Sequence, residues 1–352
     1  MFDFLFALVS RDCGIDLGTA NTLVLVKDRG IVIREPSVVA IHKRTKNVLA
    51  IGSEAKKMLG RAPETIEVIR PLADGVISDF DATAAMLSEY IKIVHQAPGA
   101  IPKVPKPKVV IGIPSGVTEV ERRAVQEAAL AAGARRAYLI EEPMAAAIGV
   151  GLPIDDSSGS IIVDIGGGTT EMAVTALGGI VVNRSIRVAG DEMDEAIVAF
   201  MRSKYGVLIG QPTAENLKIV LGSAHPGPVA TDGEKFSVVR GRDLGSGLPK
   251  SLKISASEIR EALSPVVLEI IRGLSDLLES TPPELVSDIV NRGIALAGGG
   301  SQLRHIDLAI SEAIKVPVWV ADDPMTAVVR GTGKVLVDKK LLEKVRVTGG
   351  LK

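Results

Sequence analysis

At 352 residues the chain exceeds the roughly 250 to 300 residues that a single hydrophobic core sustains, so two lobes are expected. Apolar residues make up 46% and charged residues 24%, as in soluble globular domains, whereas 3% aromatics are too few for a sugar- or base-stacking surface. Lys plus Arg (41) nearly cancel Asp plus Glu (42) and are scattered, so nucleic acid is excluded as a partner and any phosphate recognition must be local.

The chain opens with Phe2, Phe4 and Phe6, three of its six phenylalanines. On a helical wheel Phe2, Leu5, Phe6 and Val9 form one face, Phe4 and Leu8 widen it, and Asp3, Ala7, Ser10 and Arg11 lie opposite. This predicts a short interfacial membrane-binding helix over residues 1–11, against the blander alternative of a segment docked on the body. No apolar run reaches the roughly 18 residues of a spanning helix, and the apolar start lacks a basic lead and a cleavage site. A chain neither secreted nor transmembrane is expected, with Cys13 a small buried residue.

Next comes a repeat. Cys13 to Thr22 aligns with Ile161 to Thr170, so that Asp16 falls on Asp164. In each copy a β-branched run ends in Asp, a Gly/Thr turn follows, and a second apolar run comes after it, Leu23 to Val26 or Met172 to Val174. A third run, Ile31 to Ile33 or Ile180 to Val182, extends each hairpin to a three-stranded meander. Between the copies, four prolines (Pro98, Pro102, Pro105, Pro107) mark a stiff connector before a strand at Val109 to Ile113. Thr118 and Glu121 form a capping box for a helix that Gly133 ends, Ala137 to Ile140 is a strand, and Pro143 opens a helix over Met144 to Ile148. Strands alternating with helices define an α/β organisation. His225 to Gly233 reads as a Pro/Gly-rich loop.

Glycine turns at strand ends let backbone N–H groups converge on an anion, and two facing turns can clamp one phosphate tail. Asp16 and Asp164 head those turns, where carboxylates can hold magnesium through its waters; Thr19, Thr22, Thr169 and Thr170 add hydroxyls. Either turn alone is as often an ordinary hairpin, and duplication shifts the balance. No G-x-x-x-x-G-K-[ST] and no dinucleotide fingerprint is present. Gly298-Gly299-Gly300-Ser301, after the apolar Ile294 to Ala297, suits a close approach to the nucleoside end. Glu142, between a strand and the helix at Pro143, is the best-placed acid for orienting or deprotonating water, with Glu141 beside it and a helix-dipole role as the alternative. The four histidines are dispersed and carry no metal-ligand spacing.

Taken together, Ile15 to Thr22, Glu35 to Ala40, Arg70-Pro71, Glu142 to Gly149, Asp164 to Glu171 and Ala297 to Gly300 resemble the MreB family of rod-shape bacterial actins, from about Asp12 to about Val337. The resemblance implies the duplicated actin-like (ribonuclease H-like) α/β fold with ATP and Mg2+ in a cleft between two lobes. It implies lobe I at 12–145 plus 325–347, with a small subdomain at about 34–72. Lobe II is then 146–324, with a small subdomain at about 185–250. Gly18, Thr19, Ala20 and Asn21 become one phosphate loop and Gly166, Gly167, Gly168 and Thr169 the other, with Gly190 and Asp191 beside them. Glu142 becomes the water-positioning acid, assisted by Asp16, Asp164 and Thr169, with Asp16 and Asp164 toward the metal. Glu215, Asn216, Leu217 and Lys218 become the ribose and adenine side; Gly298, Gly299, Gly300 and Ser301 the opposite wall. Glu215 and Lys218 lie three apart on a predicted helix, a spacing that an ordinary ion pair shares. Asn216, Val220 and Ala189 depart from the family pattern. The implied function is an ATPase whose homopolymer filaments lie in the cytoplasm against inner-membrane lipid and organise wall synthesis. Its implied partners are the membrane-bound shape proteins RodZ, MreC and MreD. The alternative, an actin-fold small-molecule kinase, needs an acceptor pocket that the low aromatic content disfavours.

Overall fold

In the computed structural model, which describes residues 10–96, 106–227 and 234–347, the chain begins with a meander of β1 (Cys13–Leu17), β2 (Asn21–Val26) and β3 (Gly30–Pro36). A small sheet follows, from β4 (Val39–His42), β5 (Val48–Ile51) and β6 (Ile66–Ile69), with helix α1 (Ser53–Lys56) beside it. Strands β7 (Leu72–Ala73) and β8 (Val76–Ile77) form a hairpin whose tip, Asp74-Gly75, has φ of 49° and 75°, as a two-residue type I′ turn demands. Then come α2 (Phe80–Gln96), β9 (Lys108–Ile113), α3 (Glu119–Ala131) and β10 (Arg136–Glu141). The capping box at Thr118 is made, and Gly133 follows the helix end at φ 104°. Strands β9 and β10 add in parallel to β1, giving the order β10-β9-β1-β2-β3.

The second copy repeats the plan. After α4 (Glu142–Val150), the strands β11 (Ser160–Ile165), β12 (Thr170–Ala176) and β13 (Gly179–Ile186) form the second meander. Next are α5 (Gly190–Tyr205), β14 (Val207–Leu208), α6 (Gln211–Leu221), β15 (Phe236–Asp243) and β16 (Pro249–Ser255), the last three strands forming a second small sheet. That sheet continues past the expected end at about 250, because Ile254 and Ser255 still pair with Ser237 and Phe236. Helices α7 (Ala256–Ser280) and α8 (Pro283–Arg292) precede β17 (Ile294–Ala297), α9 (Ile306–Ile314), β18 (Val318–Val320), α10 (Ala327–Val337) and α11 (Lys339–Val345). The second large sheet has the order β13-β12-β11-β17-β18, and β17 runs parallel to β11.

Each large sheet has its own buried core, and a third core lies between them, built by α4 and α10 against Val110, Ile140, Ile162, Ala173 and Ala295. These two helices meet backbone to backbone. A Cβ on Gly149 would stand 1.8 Å from the carbonyl oxygen of Ala327, and one on Gly331 1.8 Å from that of Ala145, so only glycine fits. Helix α4 begins at Glu142, one residue before the expected start, with Pro143 in its first turn, where a missing N–H costs nothing. Cys13 is buried, as expected, and burial pushes its thiol up to about 12. The residues expected to bind membrane, Phe2, Phe4, Leu5, Phe6, Leu8 and Val9, lie outside the described residues, as do Pro98, Pro102, Pro105 and 228–233 of the Pro/Gly-rich loop.

Candidate functional site

Both Asp-headed turns line one cleft of about 350 Å³, within the range of small-ligand sites. In the first turn, Gly18 has no room for a side chain, since a Cβ would lie 2.8 Å from the Asn21 carbonyl oxygen. Ser37, at the exit of β3, braces that turn: its Oγ donates to the Gly18 carbonyl at 2.6 Å and its N–H to the Ala20 carbonyl at 3.0 Å. In the second turn, Gly166 N donates to Thr169 O at 2.9 Å. The start of α5 holds this turn from behind, Gly190 N and Asp191 N donating to the carbonyls of Gly166 (3.3 Å) and Gly167 (2.7 Å).

The two turns touch. A Cβ on Gly167 would be 2.6 Å from that of Ala20, and one on Gly168 3.0 Å from Thr19 Oγ1. The Asp74-Gly75 tip joins them, with Gly75 N donating to Thr19 Oγ1 at 3.0 Å and its α-carbon packed toward Thr169 Cγ2 and Pro114.

Four carboxylates converge behind this contact. Asp16 is the last residue but one of β1, beside Gly112, and Asp164 the last but one of β11, beside Ala297. Burial pushes Asp16 up to about 7. Burial, then the charges of Asp16 and Glu171, hold the proton on Asp164 well above the usual carboxylate range. Glu142, at the first position of α4, is raised likewise, first by burial and then by Glu171, Asp16 and Asp164. Like charges this close, screened from water, favour protons or a cation.

The rest of the cleft is walled by Met193, Asp194, Glu215, Lys218, Ile219 and Gly222 and by Gly298 to Gly300, Gln302, Leu303 and Arg304. Glu215 and Lys218 share the cleft face of α6 but take different partners: Lys56 Nζ meets Glu215 at 2.9 Å, while Lys218 Nζ meets Asp194 at 2.8 Å and the Gly190 carbonyl at 2.6 Å. Three predicted positions do not line the cleft. Helical periodicity turns Asn216 and Leu217 away from the face shared by Glu215 and Lys218: Leu217 joins the lobe's core, and Asn216 faces a separate hollow against β15. Ser301 is 1% exposed, its Oγ donating to the Gly298 carbonyl at 2.7 Å, so it shapes the glycine turn from within.

Sequence reasoning singled out neither Glu171 nor Asp194 as a site residue. Every residue of β12 is buried, Glu171 included, so no alternation marks it; the one available signal is a charged residue inside an otherwise uncharged run. Asp194 is buried on α5 and pushed up to about 6 by burial, against the pull of Lys218. Nor did the sequence show that Arg70 reaches Asp191 at 3.0 Å, or that Arg187 stands 3.8 Å from Asp74. With Lys56–Glu215 these pairs tie the first copy's side of the cleft to the second's.

A duplicated strand–turn–strand core, closing two glycine turns on one cleft, defines an actin-like ATPase. Residues 10–344 match the family described as MreB/Mbl protein. The chain is 50% identical over 333 residues to the cell shape-determining protein MreB of Escherichia coli (strain K12), covering 94% of each chain. It is 45% identical over 341 residues to the cell shape-determining protein Mbl of Bacillus subtilis (strain 168), covering 97% of this chain and 100% of that one. The crystal structure of MreB5 of Spiroplasma citri bound to ADP superposes with a TM-score of 0.87 at 38% identity, covering 95% of this chain and 98% of that one. The MamK double helical filament, at 23% identity and a TM-score of 0.77, shares the fold. The chain belongs to the MreB/Mbl family.

Proposed function

We propose that this chain binds ATP with a divalent cation in its cleft and hydrolyses it to time the assembly of its own copies into filaments. These lie on the inner face of the cell membrane and maintain cell shape. The observation that carries the reading is the contact of the two Asp-headed turns, Gly167 against Ala20 and Gly168 against Thr19, with both aspartates on the same cleft. The N–H groups of Gly18 to Asn21 and Gly166 to Thr169 grip one phosphate tail from two sides. Glu215, Lys218 and Gly298 to Gly300 hold the nucleoside; MreB5 of Spiroplasma citri, of which structures with ADP and AMPPNP exist, supports this reading.

The donor set fits a hard divalent cation: Asp16 and Asp164 offer carboxylate oxygens only, and their crowding with Glu142 and Glu171 is relieved by positive charge. Among the described residues no cluster of three or more His, Cys, Asp or Glu could hold a metal ion alone, so waters and phosphate oxygens would have to complete its shell. When bound, the ion neutralises charge that builds on the phosphates. Glu142, whose proton affinity is raised by burial and by the neighbouring carboxylates, accepts a hydrogen bond or proton from the attacking water, with Thr169 beside the same phosphate. Loss of phosphate loosens the grip, and the lobes, 12–145 with 325–347 against 146–324, relax about α4 and α10.

No helix of the described residues is long and apolar enough to cross a membrane. The amphipathic 1–11 segment is the proposed lipid contact; many weak anchors on one polymer bind firmly. Proteins of the RodZ, MreC and MreD kind are the proposed membrane partners. A small-molecule kinase is not favoured, since the relatives are named for cell shape. The test is pelleting with and without ATP and vesicles, for the full chain and for one lacking residues 1–10. The full chain is expected to pellet with ATP and to bring vesicles down, and the shortened chain to lose the vesicles. Phosphate transfer to an added sugar without a polymer would overturn the reading.

A further inference from the structure

Glu171 is a carboxylate that the fold does not require. It lies on β12 at 1% exposure, while the matching position of the first hairpin holds Leu23, equally buried, in an otherwise similar meander. A buried carboxylate in place of an apolar side chain is costly unless it is bonded and used. It does not line the cleft, yet it is tied to both sheets. Oε1 accepts from Ser185 Oγ at 2.6 Å on β13, and Oε2 accepts from Ser115 N at 3.1 Å, just past the end of β9. The Thr169 hydroxyl donates to it as well.

From Ser115 the chain of contacts runs on. Ser115 Oγ donates to Glu141 Oε2 at 3.1 Å, and Glu141 immediately precedes the helix whose first residue is Glu142, without a side-chain capping bond of its own. The Glu142 side chain leans on Gly112, where a Cβ would stand 3.2 Å from its Cγ. One carboxylate thus reaches Thr169 directly, and Glu142 through Ser115 and Glu141, from opposite sheets of the molecule.

Resting on the hydrolytic reading above, we propose that Glu171 is a positioning residue that fixes Thr169 and Glu142 relative to each other across the two lobes, without touching the nucleotide. Its removal lets the water-orienting groups of the two lobes drift apart, while the turns that bind phosphate keep their own braces. The loss therefore falls on turnover rather than on binding.

The experiment compares Glu171→Ala, Glu171→Leu and Glu171→Gln in steady-state ATP hydrolysis of the full chain. Ala and Leu are expected to lower kcat about tenfold with KM for ATP changed less than about twofold. Gln, which keeps an acceptor for Ser115 N and a partner for the two hydroxyls, is expected to recover kcat to within about threefold of the parent. If Glu171→Ala does not fold, the Leu and Gln pair decides, since Leu is what the first hairpin carries. Glu171→Leu turning over as fast as the parent overturns the proposal. A double variant with Glu142→Gln separates a route through Glu142 from a general loosening: it is expected to be no slower than Glu142→Gln alone, and a further tenfold loss would overturn the proposal. Full activity of Glu142→Gln by itself would instead sink the hydrolytic reading.

Discussion

The two hairpins are copies in backbone and differ in what stands behind them. The first turn is braced by a side chain at the exit of its own meander: Thr22 Oγ1 lies 2.8 Å from Ser37 Oγ, which bonds the Gly18 carbonyl. The second is braced by backbone at the head of α5, and Thr170 Oγ1 donates to the Val188 carbonyl at 2.7 Å just before that helix. Since Lys218 also bonds Gly190, the second turn is joined to the cleft wall on α6, proposed to hold the nucleoside, whereas the first is joined to the strand leading into the small sheet. In the proposed reading symmetry supplies a two-sided grip on one anion, and the asymmetric residues, Glu142 and Glu171 among them, supply the chemistry.

The strongest way to break this comparison is Glu142→Gln. If chemistry lives in the asymmetric residues, kcat falls by about 10²-fold or more, the size expected for losing a general base, while nucleotide affinity measured by fluorescence titration stays within about threefold. If the symmetric aspartates carried hydrolysis alone, turnover would persist. The next effect is smaller. Asp164→Asn and Asp16→Asn are each expected to weaken magnesium-dependent ATP affinity by about tenfold, with Asp164 the larger because it is the more buried. Titrating ATP with magnesium and then with EDTA checks this; equal affinities in both conditions would remove the cation from the site.

A third difference appears with pH in the nucleotide-free protein. Burial raises Asp16 from 3.8 to about 7, so its proton is bound more tightly in the folded state than in the unfolded one. Its stabilising share is complete below the unfolded value and is lost as pH climbs through about 7. Asp164 and Glu142, also raised, act with the same sign. The thermal midpoint of the nucleotide-free chain is therefore expected to fall between pH 5 and pH 7.5 more steeply for the parent than for Asp16→Asn. Magnesium and nucleotide should flatten that fall, because the cation takes the proton's place. A parent and variant with parallel slopes would refute the assignment.

Much of the fold was legible because its signals are local. β-Branched runs, a Thr118 capping box and Asp-Gly-Thr turns fix strands, a helix start and hairpins within a few residues of themselves. The duplication then made two weak turns into one site. What stayed hidden depends on contacts distant in the chain. Glu171 reads as one polar residue in an apolar strand until Ser115 is brought to it from the other sheet. Asn216 and Leu217 go with their neighbours in the sequence because a four-residue motif carries no phase, whereas of those four the helix turns Glu215 and Lys218 to the cleft, with Ile219 beside them. Adjacency to three glycines makes Ser301 read as a wall, whereas its hydroxyl turns inward to hold them.

The smallest expected effect tests the braces themselves. Thr170→Val keeps shape and removes the donor to the buried Val188 carbonyl, leaving that acceptor short of a partner, a loss of about 1 to 2 kcal/mol. Thr22→Val removes only the outer member of a pair whose inner member, Ser37, still bonds the Gly18 carbonyl, so about 0.5 to 1 kcal/mol is expected. Denaturant midpoints of the two variants without nucleotide should rank in that order. Because α5 couples the second turn to the nucleoside wall, Thr170→Val is also expected to weaken ADP binding slightly, while Thr22→Val leaves a nucleoside lacking phosphates bound as before. The reverse ranking would mean that Ser37, not the head of α5, is the firmer support, and that the first hairpin is the one on which the cleft closes.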